Sequence, residues 1–318
     1  MKNIQREDIK LISRHSNMTE LEVERLLKEN VYNNKEMWQK FLRLFFITLG
    51  VGFATAGIIF FFAYNWADLH KFAKIGMTEA LVITTTIVAL LPKINQNIRN
   101  IILTGAAFLV GVLFALFGQI YQTGANAYDF FLAWTLFITL WVVISNFAPL
   151  WLLFIVLINT TFILYTEQVA KDWDELLIGT IIFCINTITL ISSFLLQNSK
   201  KTFNIPIWFT HILALGCTVI ATLGMITVIF DNHETFSLLF TILIITTYTL
   251  GIWHGLNSKS IFYLSVIPLS IISILTALLI NFSTDGGMFL FVSLFVIGSV
   301  TMVIMSLINL QKKWKNEN

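Results

Sequence analysis

Charge is scarce in this chain, and so are proline and cysteine. Asp, Glu, Lys and Arg together make up 12% of its 318 residues, against about 25% in a soluble globular domain. Apolar residues reach 57% and the mean hydropathy is +0.80. A water-soluble globular fold is thereby excluded. There are four prolines, and only Pro268 falls inside an apolar run. Long helices are therefore expected, with one kink at that position. The two cysteines, Cys184 and Cys217, sit mid-run and read as small hydrophobes. No His-Glu-x-x-His, phosphate-binding glycine loop or nucleophile elbow occurs. The residues thus point to no catalytic group, no metal and no cofactor.

What the chain does contain is ten apolar runs, at residues 44–66, 72–91, 98–120, 130–146, 149–165, 175–196, 206–229, 235–253, 260–280 and 287–309. About 20 such residues in a helix cross about 30 Å of hydrocarbon. The runs are continuous, not alternating in steps of two, which argues against a β-barrel. The expected fold is all-α: a polytopic bundle of about ten membrane helices over 44–309, a small helical head over 1–43 and a basic tail over 310–318. Runs 130–146 and 149–165 are short and close together. They read as a tight helical hairpin, or as one span and one re-entrant segment. Pro149 and Pro206 stand at helix starts, where the missing N–H costs nothing. The polar first 40 residues and the full-length first run, with no cleavage pattern after it, imply a retained anchor rather than a signal peptide.

Basic residues beside the spans set orientation. With the N-terminus inside, the even loops and the C-terminus hold Lys93, Arg99, Lys200, Lys201, Lys259, Lys312, Lys313 and Lys315. The odd loops hold only Lys71, Lys74 and Lys171, together with all the loop acids, from Asp68 to Asp285. Both termini are expected in the cytoplasm.

The head carries nine Lys and Arg against seven Asp and Glu, a net charge of +2, too weak for nucleic-acid binding. Thr19-Glu20-Leu21-Glu22 is a capping box, and an earlier helix is expected over 5–14. A segment of about 40 residues is too small for a catalytic core of its own. It suits a helical hairpin on the membrane surface or a docking module for a protein partner.

Within the spans, two ionisable residues stand out, because burying charge in hydrocarbon is costly. Glu79 falls about 10 Å below the outer edge by helical rise, too deep for its short side chain to snorkel. It is expected to face the bundle interior, a water-filled cavity or a partner, or else to be protonated. Lys74, five residues away, is expected to snorkel outward with Lys71. His211, about 7–8 Å from the inner edge, is a secondary candidate. Its simpler role is a neutral imidazole bonding a neighbouring helix. Asn65, Trp66, Gln119 and Tyr121 gather at the outer mouth with Glu79 and could form a polar pocket. Trp and Tyr also collect at interfaces for amphipathic reasons alone. Asp231-Asn232-His233-Glu234 reads as a solvated loop, not a coordination shell.

Two stretches carry a family resemblance. One is Asn65-Trp66-x-Asp68-Leu69-x-x-Phe72-Ala73-Lys74. The other is Gly118-Gln119-Ile120-Tyr121-Gln122-Thr123-Gly124-Ala125, followed by Asp129-x-Phe131-x-x-Trp134. With the helical head, they resemble the bacterial predicted-membrane-protein family called domain of unknown function 2157, over about residues 10–165. The resemblance implies a polytopic bacterial inner-membrane protein and supplies no catalytic residues.

Three functions remain open. A transporter or flippase would use an outer-facing cavity near Glu79, and ten spans suit two five-helix repeats. Against it, the halves show no mutual similarity and helix-breaking residues are few. A non-enzymatic scaffold or sensor would bind a partner through the head. A membrane enzyme on lipid or a lipid-linked sugar would need several acids, bases or metal ligands near one interface, and no such spacing is found.

Overall fold

A computed structural model of the chain describes residues 9, 12–13, 15–16, 18–30, 35–64, 69–121, 124, 126–198, 205–231, 236–282 and 286–316. Among the described residues all regular structure is helical, and ten helices are long and apolar enough to cross a membrane. The protein is a polytopic helical membrane protein. The chain divides into two compact units, residues 1–121 and 122–318.

In the first unit, α1 (Glu20–Asn30) precedes α2 (Lys35–Tyr64), α3 (Lys71–Leu90) and α4 (Gln96–Tyr121). The Glu22 carboxylate accepts from Thr19 N at 2.9 Å and from Thr19 Oγ1 at 3.0 Å. The hydroxyl thus donates to the carboxylate. These bonds hold Glu22 below its usual pKa, the backbone bond contributing most. The expected helix over 5–14 lies largely outside the described residues. α2 begins at Lys35 and runs unbroken into the first apolar run. α4 is the centre of this unit. It packs along α3 and against α2, burying a small-residue stretch, Gly105-Ala106-Ala107. A Cβ added at Gly105 would meet Val51 of α2 at 2.5 Å. Small residues let membrane helices approach this closely, where lipid and protein are equally apolar.

The second unit holds α5 (Ala127–Ser145), α6 (Ala148–Gln168), α7 (Glu175–Asn198), α8 (Ile207–Asp231), α9 (Ser237–Asn257), α10 (Ile261–Phe282) and α11 (Gly286–Asn316). The short pair of runs becomes a hairpin. α5 and α6 pack on one another, with Asn146 left-handed at φ 46° between them and Pro149 in the first turn of α6. Both are long and apolar enough to cross. Gln168 Oε1 at the end of α6 accepts from Tyr128 N at the start of α5, at 3.1 Å. Asn159 of α6 and Asn186 of α7 exchange amide hydrogen bonds at 2.7 and 3.3 Å. α8 packs on α7 and α10, while α10 also carries α9 and α11. The core between them includes Phe183, Ala221, Phe240 and Ile244. The Phe183 and Phe240 rings meet edge to face at 5.8 Å, an arrangement worth about 0.5–1.5 kcal/mol beyond area burial.

Pro268 lies inside α10 as expected. α9 and α10 approach through Gly251-Ile252-Trp253-His254-Gly255. A Cβ at Gly251 would come within 2.6 Å of Ile267 Cδ1, and one at Gly255 within 3.0 Å of Leu264 Cγ. Glycines four apart share a helix face and admit a neighbouring backbone.

Candidate functional site

The first unit places the sequence candidates in an unexpected way. α3 presents Lys74, Thr78 and Val82, spaced four apart, on its buried face. Lys74 is 7% exposed and Thr78 fully buried. Glu79, some 140° further round the helix, is exposed. The expectation that Lys74 snorkels outward is therefore corrected. This helix buries the cation-bearing side chain and turns the carboxylate away from the unit's interior. Nothing among the described residues hydrogen-bonds or ion-pairs with Glu79. Gln119 and Tyr121, at the end of α4, are also exposed, with Tyr121 tilted against Phe117 at 4.5 Å between centroids. Asn65 and Trp66 lie outside the described residues. With two of the five groups outside the described residues, the joint pocket stays an expectation.

The second unit contains a cleft of about 380 Å³ among α7, α8, α9 and α10. That volume lies in the range of small-molecule sites, about 300–1,000 Å³. Its floor is made by Phe183, Cys217, Tyr248 and Ile267, all buried. Leu195 of α7 and Leu250 and Trp253 of α9 also line it yet are 67%, 52% and 62% exposed. The cleft therefore opens sideways between α7 and α9.

Its polar groups are few and neutral. No Asp, Glu, Lys or Arg lines it among the described residues. Most of its hydroxyls already donate. Thr247 and Thr218 bond carbonyls of their own helices at 2.9 Å each. Thr187 donates to Cys217 Sγ at 3.8 Å. The Tyr248 hydroxyl shares a hydrogen bond with Ser270 Oγ at 2.5 Å, and Ser270 shares another with Thr222 at 2.5 Å. This chain of hydroxyls ties α9, α10 and α8 together. His254 and Gln197 differ, for neither side chain is hydrogen-bonded among the described residues, and both line the cleft.

His254 stands in an aromatic corner. Its ring lies 4.3 Å from Phe194 and 5.3 Å from Tyr263, centroid to centroid. Tyr263 in turn lies edge-on to Phe262 at 5.5 Å. His211, the secondary sequence candidate, stacks on Phe262 of α10 at 4.0 Å with planes 15° apart. It does meet a neighbouring helix, through a ring face and not through a hydrogen bond. His211 backs the wall of the cleft without lining it. His254 falls one residue past the apolar run 235–253, in the last turn of the helix that continues it, and so does not read as an intramembrane group. The signal that could have found it is Gly251-x-x-x-Gly255, which marks a close helix contact around it.

Three or more His, Cys, Asp or Glu grouped to hold a metal ion are not found among the described residues.

Comparison with known proteins adds one match. Residues 16–151 fit a family model described as predicted membrane protein, DUF2157. The match bears out the resemblance carried by the Asn65 and Gly118 stretches. It runs from just before α1 into the first turn of α6. The cleft lies wholly beyond it. No curated protein and no solved structure matches the chain.

Proposed function

We propose that the protein binds an amphiphilic molecule in the lateral cleft of its second unit, acting as a carrier or sensor of that molecule within the membrane. The observation that carries this reading is the cleft itself. It is an apolar space large enough for a small ligand, open along α7 and α9, with the uncommitted His254 and Gln197 side chains at one end. A water-soluble substrate would meet an apolar mouth facing lipid. An amphiphile reaches the same mouth by diffusing in the bilayer. The transporter- or flippase-like reading is kept in this form, with its site moved from Glu79 to the cleft. The segregation of basic residues supports both termini in the cytoplasm, and the family resemblance supports a bacterial inner membrane. In that orientation the His254 end lies in the inner half of the membrane.

Native mass spectrometry of detergent-purified protein tests the reading. A retained amphiphile is expected at one per chain, and its loss is expected in Val266→Trp, which fills the cleft. Equal adducts in both proteins would refute it.

A second reading draws on Glu79. An exposed carboxylate about 10 Å into the membrane is costly against lipid. That supports a scaffold in which another protein covers α3. Glu79→Cys, in a background lacking Cys184 and Cys217, separates the cases. Labelling of intact cells by a membrane-impermeant thiol reagent would mean that water reaches the site. Failure to label, in folded protein, would mean that lipid or a partner seals it.

A further inference from the structure

This inference rests on the cleft being the working site and names the class of its occupant. We infer that the cleft takes a quinone-class isoprenoid: a flat, uncharged ring bearing carbonyl acceptors, joined to an apolar tail.

Charge decides first. A phospholipid headgroup is anionic or zwitterionic and calls for Lys or Arg, since burying an unpaired charge costs far more than burying a paired one. The lining has no cationic or anionic side chain among the described residues. The described lining thus offers no partner to a charged head, which favours a neutral one.

Hydrogen-bond capacity decides second. Thr187, Thr218, Thr247 and Tyr248 have their hydroxyl protons or partners committed. His254 and Gln197 retain donors that nothing among the described residues uses. A neutral imidazole offers one N–H and an amide offers two. The N–H groups fit a pair of ring carbonyls, while the second imidazole nitrogen and the amide oxygen are acceptors that a hydroxyl head would also meet, so the choice between the two falls to the aromatic corner.

Shape decides third. Phe194, Trp253, His254, Phe262 and Tyr263 all line the same end. Aromatic faces and edges favour offset or edge-on contact with another ring. A glycerol backbone gains nothing comparable. Past this corner the wall turns aliphatic, through Leu190, Leu250, Val266 and Ile267, which suits a branched hydrocarbon tail leaving by the lateral mouth. The inference concerns binding alone and requires no electron transfer.

The test is a competition followed by native mass spectrometry, with the full-length protein in detergent. Decylubiquinone, dioctanoylglycerol and dioctanoylphosphatidylglycerol are offered at equal concentration. One saturable decylubiquinone per chain is expected, lost in Val266→Trp. His254→Leu is expected to weaken it about tenfold, the loss of one buried hydrogen bond. His254→Gln, which keeps an N–H donor, should hold affinity within about threefold, a loss under 1 kcal/mol. If His254→Leu does not fold, Gln197→Leu at the exposed end of α7 is read instead, with a several-fold loss expected. Preference for dioctanoylglycerol or for the phospholipid would overturn the quinone assignment and leave the amphiphile reading standing. No adduct from any probe would overturn both. Unchanged affinity in His254→Leu would overturn the placement of the ring.

Discussion

Gly251 of α9 faces Ile267 of α10 so closely that an added Cβ would stand 2.6 Å from Ile267 Cδ1. A side chain at position 251 would make either the Ile267 side chain or the helix spacing give way. Gly251→Val is therefore expected to lower stability by about 1–3 kcal/mol, the usual cost of overpacking. Gly179→Ala is the control, because nothing lies within 4 Å of its missing Cβ. Thermal unfolding followed by tryptophan fluorescence should drop for the first and hold for the second. Equal midpoints would mean that α9 and α10 do not pack in this register.

Asn159 and Asn186 form a reciprocal pair between α6 and α7. Asn159→Leu leaves the Asn186 amide without its interhelical partner. A loss of about 0.6–1.7 kcal/mol is expected, the scale measured for hydrogen bonds between membrane helices. The double variant Asn159→Leu, Asn186→Leu should recover part of it, because no orphaned amide remains. Strict additivity in the double-mutant cycle would show that the amides do not interact.

On α3 the two ionisable side chains should behave oppositely. Lys74 is buried and Glu79 exposed. Lys74→Ala removes a packed side chain and should cost about 1–3 kcal/mol, in the range of core truncations. Glu79→Leu should stay within about 0.5 kcal/mol, as exposed substitutions do. The reverse order, from denaturation of the purified variants, would place α3 with its other face inward.

The head carries a pH prediction. Glu22 is held below its ordinary pKa by its bonds to Thr19. A depressed carboxylate stabilises the fold above its unfolded pKa, and that contribution is lost as pH falls through the lowered value. Amide exchange in the first turn of α1 should therefore speed up as pH drops below about 4, beyond the intrinsic trend. In Glu22→Gln, whose amide oxygen can still accept from Thr19, the turn should stay closed and show no such step. A step of equal size in Glu22→Gln would assign it to another group.

The spans were legible because hydrocarbon demands long apolar runs, and that demand is written in composition. Which face of each helix turns inward was not. Lipid is as apolar as a protein core, so hydropathy does not encode helix rotation in a membrane. This is why the sequence leaves the Glu79 face open between interior, cavity and partner, and does not show that Lys74 is buried. The better guide was size. Thr78 and Val82 extend the Lys74 face, toward the helix that carries Gly105, Ala106 and Ala107. The cleft was hidden for a different reason. It joins residues from four helices across 85 positions, from Phe183 to Ile267, and no local spacing announces such a set. Only the fold puts Cys217 in the floor and His254 at the end of one cleft, with His211 behind its wall.

The most direct test of the amphiphile site is photocrosslinking in intact membranes. Benzoylphenylalanine replaces Leu250, at the cleft mouth, or Leu238, which is 73% exposed on the same helix and does not line the cleft. Mass spectrometry then identifies the lipids attached at each position. The account predicts one enriched amphiphile at Leu250 and the bulk phospholipid mixture at Leu238. The same mixture at both positions would contradict it.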